Sequence, residues 1–524
     1  MAFNLRSELE SVLSSQFQIT SPTAVQSESI SAILKQDQNV VIEAATGSGK
    51  TFAFLLPILQ QIAWPSSCGT CSEPNNFRTQ KTVAFILAPT KELAQQIFTV
   101  LEKLVRSCCN WVVPGLLNGT DKRKSEKARI RKGLNIVVAT PGRLLDHLQN
   151  TESFSLGNLE WFVLDEADRL LDLGFSKKIS EIMQICTKAR NKKMRIVCCS
   201  ATVDEKIQKF LGSIAGTSCK SLVVVKASAA TEASNTASKG IGSNKLVQKC
   251  VILPVKIRLL ALISLMKKYC TSKANFKAIC FFSCCDSVDF HYALLKEGRF
   301  FEDQDLALFR LHGSLEQRQR TEVFCGFSKA SKGLLICTDV AARGLDFPSV
   351  TLIVQYDAPC EASDYIHRVG RTARMGAQGE AILFLEQAEE PYLKILESKG
   401  LINMQKMNFQ RIIQHWNPDL PLQKCIAQLD GKIAALVKDD LEEKAKVAFS
   451  STVRAYGSHC KEEKDCFAIG KLHLGHLAKS FGLLNAPSGI SKGIGRKRAK
   501  ANEATSEKQP KKHRVKVGEF DSGL

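Results

Sequence analysis

The residues best equipped for chemistry fall in a few short runs. Ala44-Ala45-Thr46-Gly47-Ser48-Gly49-Lys50-Thr51 follows an apolar run, Val40 to Ile42, and leads into a helix-like one, Phe52 to Leu59. Glycines at 47 and 49 let the backbone curl so that successive N–H groups point at a polyphosphate, and the N-terminus of the next helix adds partial positive charge. In such a loop Lys50 reaches the β and γ phosphates and Thr51 holds Mg²⁺, while Ala45, Thr46, Gly47 and Ser48 form the cradle. The generic pattern begins with Gly and this one with Ala44, so a glycine-rich turn without a nucleotide is the plain alternative. Asp165-Glu166-Ala167-Asp168 follows a second apolar run ending at Leu164. Asp165 is suited to holding the metal through its waters, and Glu166 to orienting or deprotonating an attacking water. A lone acidic cluster is ordinarily a solvated turn; its place after Lys50, again at a strand's end, favours the chemical reading.

Positioning those groups requires strands that stop where the polar clusters begin. Runs at Val40 to Ile42, Val83 to Leu87, Ile136 to Ala139, Trp161 to Leu164 and Ile196 to Cys199 are each followed by polar residues and then a helical pattern. That alternation predicts an α/β unit with a parallel sheet, whose carboxyl edge collects the polar clusters. A second series has runs at Ala278 to Phe282, Leu306 to Leu311, Leu334 to Cys337, Leu352 to Val354 and Ala381 to Leu385. The reading divides the chain into α/β domains at 1–225 and 246–400, a linker or loop at 226–245 poor in large apolar groups, a mainly helical extension at 401–487, and a disordered basic tail at 488–524.

Composition narrows the partners. The formal net charge is +20, from 72 Lys and Arg against 52 Asp and Glu. Basic surface gains affinity for a phosphate backbone by releasing counterions, so nucleic acid is the first candidate and an acidic membrane surface the second. No run approaches the eighteen or so apolar residues of a membrane span, and Glu8 and Glu10 stand where a signal peptide carries positive charge, which predicts a soluble intracellular protein with no membrane partner. Nineteen cysteines in a chain of 524 residues, many inside apolar runs (Cys198, Cys199, Cys280, Cys337), read as reduced core residues. Cys68 and Cys71 form a C-x-x-C pair with no second pair at zinc spacing, and read as a loop insertion.

The motifs together resemble the DEAD-box RNA helicases. Besides the loop at 44–51 and the tetrapeptide at 165–168, Ser200-Ala201-Thr202, Pro89-Thr90-Lys91-Glu92-Leu93-Ala94 and Thr140-Pro141-Gly142-Arg143 match first-domain motifs. Thr338-Asp339, Arg343-Gly344-Leu345-Asp346 and His367 to Arg374 match the second domain. The resemblance implies two tandem RecA-like domains, an ATP hydrolase with ATP and Mg²⁺ as cofactors, and RNA as partner. It gives Phe17 and Gln26, flanking Pro22-Thr23, the adenine; Lys50 the phosphates; Thr51 and Asp165 the Mg²⁺; and Glu166 the water. Ser200 and Thr202 would couple hydrolysis to strand separation, Asp346 would touch ribose, and Arg371 and Arg374 would act as arginine fingers on the γ-phosphate. Pro89, Thr90, Gly119, Thr140, Gly142, Arg143, Gln317, Arg320 and Thr338 resemble the RNA-contacting positions, suited to phosphate contacts without sequence preference.

Four positions depart from the family pattern: Gln16 precedes Phe17 where Gly is usual, Asn118-Gly119 stands for a glycine pair, Lys91 for Arg, and Ala373 for a frequent Gly. Residues 448–483 are similar to an extension of nucleolar ribosome-assembly helicases, acting there as a brace on the second domain or as an RNA-binding element. His473 and His476 read as packing and hydrogen-bonding residues. Residues 111–133 most resemble the large-subunit branch, implying a monomer that works on pre-rRNA in pre-ribosomal particles of the nucleus and nucleolus. Basic clusters at Arg496-Lys497-Arg498 with Lys500 and at Lys511-Lys512-His513-Arg514 suit a nuclear address, RNA binding or a solvated tail. A DNA translocase on the same core and an RNA clamp that uses ATP only to stay closed are the alternatives.

Overall fold

The computed structural model describes residues 3, 5–35, 38–44, 47–64, 82–189, 194–201, 203, 205–215, 222–226, 246–339, 345, 347–373, 377–398, 404–415 and 420–484. They build two seven-stranded sheets in which every described pairing is parallel. The first contains β1 (Asn39–Glu43), β2 (Ala84–Leu87), β3 (Pro114–Leu117), β4 (Ile136–Ala139), β5 (Trp161–Leu164), β6 (Arg195–Ser200) and β7 (Leu222–Lys226) in the order β3-β4-β2-β5-β6-β1-β7. Its central strands are buried on both sides, as parallel strands covered by helices must be. Val40 and Ile42 face one apolar cluster, and Val41 faces the other.

The second sheet contains β8 (Leu246–Ile252), β9 (Phe276–Phe281), β10 (Ala307–Leu311), β11 (Lys332–Cys337), β12 (Leu352–Gln355), β13 (Gly379–Leu385) and β14 (Gln405–Met407) in the order β10-β11-β9-β12-β13-β8-β14. Four strands, β3, β7, β8 and β14, add to the ten runs marked in the sequence. β14 lies past residue 400, in the segment expected to be mainly helical, and pairs with β8 through Gln405↔Lys249.

The extension that follows is helical, with helices at Leu422–Leu436, Glu442–Tyr456 and Leu474–Ser480. Its apolar face joins the core of the second sheet: Cys425, Leu429, Ile433, Phe449, Leu477 and Phe481 belong to the same buried cluster as Val251, Ala278 and Phe384. The Phe481 ring stands 5.2 Å from Phe290. His473 caps the last helix, its Nδ1 accepting from the His476 N–H at 3.1 Å, and the two rings stack 3.9 Å apart. Among the described residues no helix is long and apolar enough to cross a membrane, and Cys198, Cys199, Cys280 and Cys337 are buried free thiols. Of the linker expected at 226–245, Lys226 ends β7 and the remainder lies outside the described residues, as do Cys68, Cys71 and the basic tail.

Candidate functional site

Strand order explains why distant motifs meet. β5, β6 and β1 are neighbours, so Asp165, Ser200 and the glycine loop leave three adjacent strand ends on one edge of the sheet, where open α/β sheets bind ligands. Ser200 is buried, and its carbonyl accepts the Ala44 N–H at 3.0 Å, tying that strand end to the loop. Thr202, Ala45 and Thr46 lie outside the described residues.

Gly47 (φ 82°) and Gly49 (φ 88°) occupy the left-handed region, which costs a side-chain-bearing residue energy. At Gly49 a Cβ would also lie 2.3 Å from Gln26 Nε2. Lys50 opens the Lys50–Ala63 helix, and its buried ammonium donates to the Ala44 carbonyl at 2.7 Å. Thr51, half-buried, follows it. The Ser48 hydroxyl is buried without a protein partner. Thr23 and Gln26 cap the Ala24–Leu34 helix reciprocally and also hold the loop: Thr23 Oγ1 donates to the Ser48 carbonyl at 3.1 Å, and Gln26 Nε2 to the Gly49 carbonyl at 3.2 Å. Gln26 Oε1 accepts the Thr23 N–H at 3.0 Å, so one amide hydrogen and one lone pair remain for a base edge. Phe17 ends the Ser7–Phe17 helix and meets Phe52 edge-on at 5.1 Å, with the Lys103 ammonium 4.6 Å above its ring.

Asp165 is anchored through its N–H to the Leu87 carbonyl at 2.9 Å, and its Oδ1 accepts the Glu166 N–H at 3.0 Å. Burial, with the Glu166 charge beside it, pushes its carboxyl up to about 7 against the pull of Lys50. Glu166 has φ 48°, a strained value of the kind that clusters at functional sites. Asp168 accepts from the N–H groups of Arg169 at 2.9 Å and Ala201 at 3.3 Å. Burial alone would raise its pKa, yet His367 of the second half, 3.4 Å away, helps hold it down at about 2.

His367 brings the two halves together. It lies on the Ala362–Val369 helix, whose C-terminal end leads to Arg371. The Arg371 guanidinium donates to the His367 carbonyl at 3.1 Å and the Leu345 carbonyl at 2.8 Å. Arg368 grips Asp339 with two bonds of 2.6 Å and donates to the Asp357 carbonyl at 2.7 Å. Arg374 and Asp346 lie outside the described residues. The donor set suits Mg²⁺ held by one or two protein oxygens with phosphate completing the shell: Asp165 carries more carboxylate charge around it than Lys50 offsets, and among the described residues no cluster of three or more His, Cys, Asp or Glu could hold a metal alone.

The first-half residues expected at RNA continue the same carboxyl edge beyond β5, at the ends of β2, β4 and β3. Pro89 is buried and Thr90 caps the Lys91–Cys108 helix, accepting the Leu93 N–H at 3.2 Å. Gly119 (φ 77°) donates to buried Glu126, which also receives Arg143 at 2.5 Å and His147 at 2.9 Å. Thr140 and Gly142 flank the Pro141 that starts the Pro141–Asn150 helix. Gln317 and Arg320 reach instead across the cleft, to Glu92 at 3.1 Å and 3.0 Å. Thr338 is buried, its hydroxyl without a protein partner. Sequence reasoning gave no role to Glu92, Glu126, His147, Asp168, His367 or Arg368. Their types, charged or imidazole groups at helix starts and motif ends, were visible; their partners, often more than a hundred residues away, were not.

Comparison with known proteins matches this layout. Residues 23–210 fit the DEAD/DEAH box helicase family, residues 258–376 the helicase conserved C-terminal domain, and residues 438–489 the "ATP-dependent rRNA helicase SPB4-like, C-terminal extension". The chain is 39% identical over 552 residues to "ATP-dependent RNA helicase dbp7" of Neosartorya fischeri, covering 93% of this chain and 72% of that one. It is 37% identical to "DEAD-box ATP-dependent RNA helicase 17" of Oryza sativa subsp. japonica, covering 89% and 87%. A structure of the DEAD-box helicase Mss116 bound to ssRNA and UDP-BeF superposes with a TM-score of 0.79 at 28% identity, covering 95% of both chains. Two parallel α/β halves in contact through His367 and Glu92, with these relatives over most of its length, make the chain a member of the DEAD-box family: an ATP-hydrolysing RNA helicase.

Proposed function

We propose that this helicase remodels pre-rRNA duplexes and RNA–protein contacts in pre-ribosomal particles of the large subunit, in the nucleolus, as a monomer. The observation that carries the reading is the 438–489 segment, which matches the rRNA helicase extension and shares a buried core with the second half. The functional halves span 1–225 and 246–400.

In this reading Gln26 and Phe17 hold the adenine, the 45–49 backbone and Lys50 the phosphates, and Asp346 the ribose. Thr51 and Asp165 hold Mg²⁺, which offsets phosphate charge when bound. Glu166 aims the attacking water and takes its proton; Arg371 and Arg374 meet the charge that develops on the terminal phosphate. Because those groups sit on opposite halves, hydrolysis waits for closure. Closure brings Pro89, Thr90, Gly119, Thr140, Gly142 and Arg143 into line with Gln317, Arg320 and Thr338 along one RNA backbone. That strand is bent until its partner leaves, and Ser200 and Thr202 relay hydrolysis to release.

RNA crosslinking in cells tests the assignment. Crosslinks concentrated on large-subunit pre-rRNA are expected, and a distribution spread over messenger RNA would overturn it. For the site, Lys50→Ala and Glu166→Gln should each lose RNA-stimulated phosphate release; normal turnover in either would remove that residue from the chemistry.

A further inference from the structure

The helix that carries His367 and Arg368 lacks a side-chain cap from its own chain neighbour: Glu361 stands at its N-cap position, but its carboxylate accepts the Ser363 hydroxyl, at 3.4 Å, and caps no backbone N–H. The cap comes from the C-terminal extension. Glu463, 1% exposed, accepts the Ala362 N–H on Oε1 at 2.8 Å. Its other oxygen meets His459 Nδ1 at 3.1 Å, and the His459 ring stacks on Phe467 with centroids 3.8 Å apart. Beside it the Cys460 N–H donates to the Cys360 carbonyl at 3.4 Å. An acidic oxygen on a first-turn N–H both satisfies an orphan donor and offsets the helix dipole.

A second connection runs through the interior. Tyr456 donates to Glu389 at 2.9 Å; Glu389 receives Arg258 at 3.0 Å; Arg258 reaches Asp357 at 3.4 Å; and the Asp357 carbonyl receives Arg368 at 2.7 Å. Arg258, Glu389 and Arg368 are all at most 5% exposed, so these charge-assisted bonds act in a poorly screened setting.

We infer that the extension is a positioning element for ATP hydrolysis: Glu463 and Tyr456 hold the Ala362–Val369 helix so that Arg371 presents to the nucleotide. This rests on the reading of Arg371 as a γ-phosphate group and goes beyond it by making residues outside both helicase halves set the rate. The inference needs no contact between the extension and RNA.

The test uses the full chain, with ATP hydrolysis measured at saturating RNA, ATP KM measured alongside, and thermal unfolding as control. Glu463→Ala is expected to lower kcat by about tenfold, the worth of one charge-assisted bond, with KM within about twofold. Glu463→Gln keeps an acceptor for the Ala362 N–H and should restore most of the rate. Tyr456→Phe removes one oxygen and is expected to lower kcat by about threefold or more with unfolding little changed, so it decides the matter if Glu463→Ala does not fold. An unchanged kcat in folded Glu463→Ala or in Tyr456→Phe, or a Gln variant as slow as Ala, overturns the inference. Arg371→Ala separates the two readings: if it hydrolyses ATP normally, the site assignment falls and takes the inference with it. If Arg371→Ala is inactive while Glu463→Ala is normal, only the inference falls.

Discussion

Glu92 offers the sharpest way to ask what holds the halves together. It lies in the first turn of the Lys91–Cys108 helix, and its Oε1 takes Gln317 Nε2 at 3.1 Å and Arg320 at 3.0 Å from the other half. The Arg320 and Glu92 side chains are only 16% and 12% exposed, so solvent screens the pair weakly. A charge-assisted bond of this kind contributes about 1.5–3 kcal/mol. With the neighbouring amide bond also lost, Glu92→Ala should cost closure about 2–3 kcal/mol, which shifts the closing equilibrium by roughly 30- to 150-fold. Dyes placed on the two halves report closure by energy transfer as RNA and a non-hydrolysable ATP analogue are titrated. The midpoint should move to higher concentration by that factor, and the exchange pair Glu92→Arg with Arg320→Glu should recover part of it. A Glu92→Ala midpoint within about twofold of the parent would refute the reasoning, because the clasp would then form without favouring the closed state.

Three further outcomes follow from the same geometry. Ala373 sits at φ 54°, so Ala373→Gly should relieve left-handed strain and raise stability by about 0.5–1 kcal/mol in denaturant titration; a loss would show that the methyl packs usefully. Phe481→Ala should destabilise the second half by about 3–5 kcal/mol, seen as earlier melting of that half while the first half melts unchanged; melting at the parent temperature would deny the shared core. Burial alone would lower the His312 pKa, but Asp289, 3.1 Å away, and Cys285 raise it to about 9. A histidine raised above its unfolded value of about 6.5 stabilises fully below that pH and progressively less up to about 9. Melting temperature should therefore fall across that window, and Asp289→Asn should flatten the fall; an equal slope in the variant would exclude the pair as its source.

Nine of the ten marked runs are interior strands, legible because strands covered on both faces must be continuously apolar, and Trp161–Leu164 or Ala84–Leu87 contain nothing else; the tenth, β10, is an edge strand marked by its leucines and phenylalanine. The strands that went unmarked are three at sheet edges, β3, β7 and β14, and β8, next to an edge. β3 opens with Pro114 and Gly115, poor strand formers that an edge tolerates. β8 breaks its apolar run with Gln248 and Lys249, whose partners, Tyr365 and Glu380, come from more than a hundred residues later. The motifs likewise disclosed which groups carry charge but not which of them pair. Nothing local to Gln317 or Arg320 points to Glu92, and nothing local to Asp168 points to His367, because those contacts exist only once two halves meet. Gln26 shows the same limit: its amide suits a base edge, yet only the fold reveals that it grips Gly49 as well.

The shared core of the second half bears on how the chain is made. Cys425 to Leu483 complete the apolar packing begun by residues 251–384, so that half cannot finish folding until the extension has emerged from the ribosome. The first half holds its own clusters within residues 3–225 and is free to condense while synthesis continues, as N-terminal domains generally do. For a time each nascent molecule therefore carries one finished half and one greasy, incomplete one, and that interval is when a holding chaperone has most to protect.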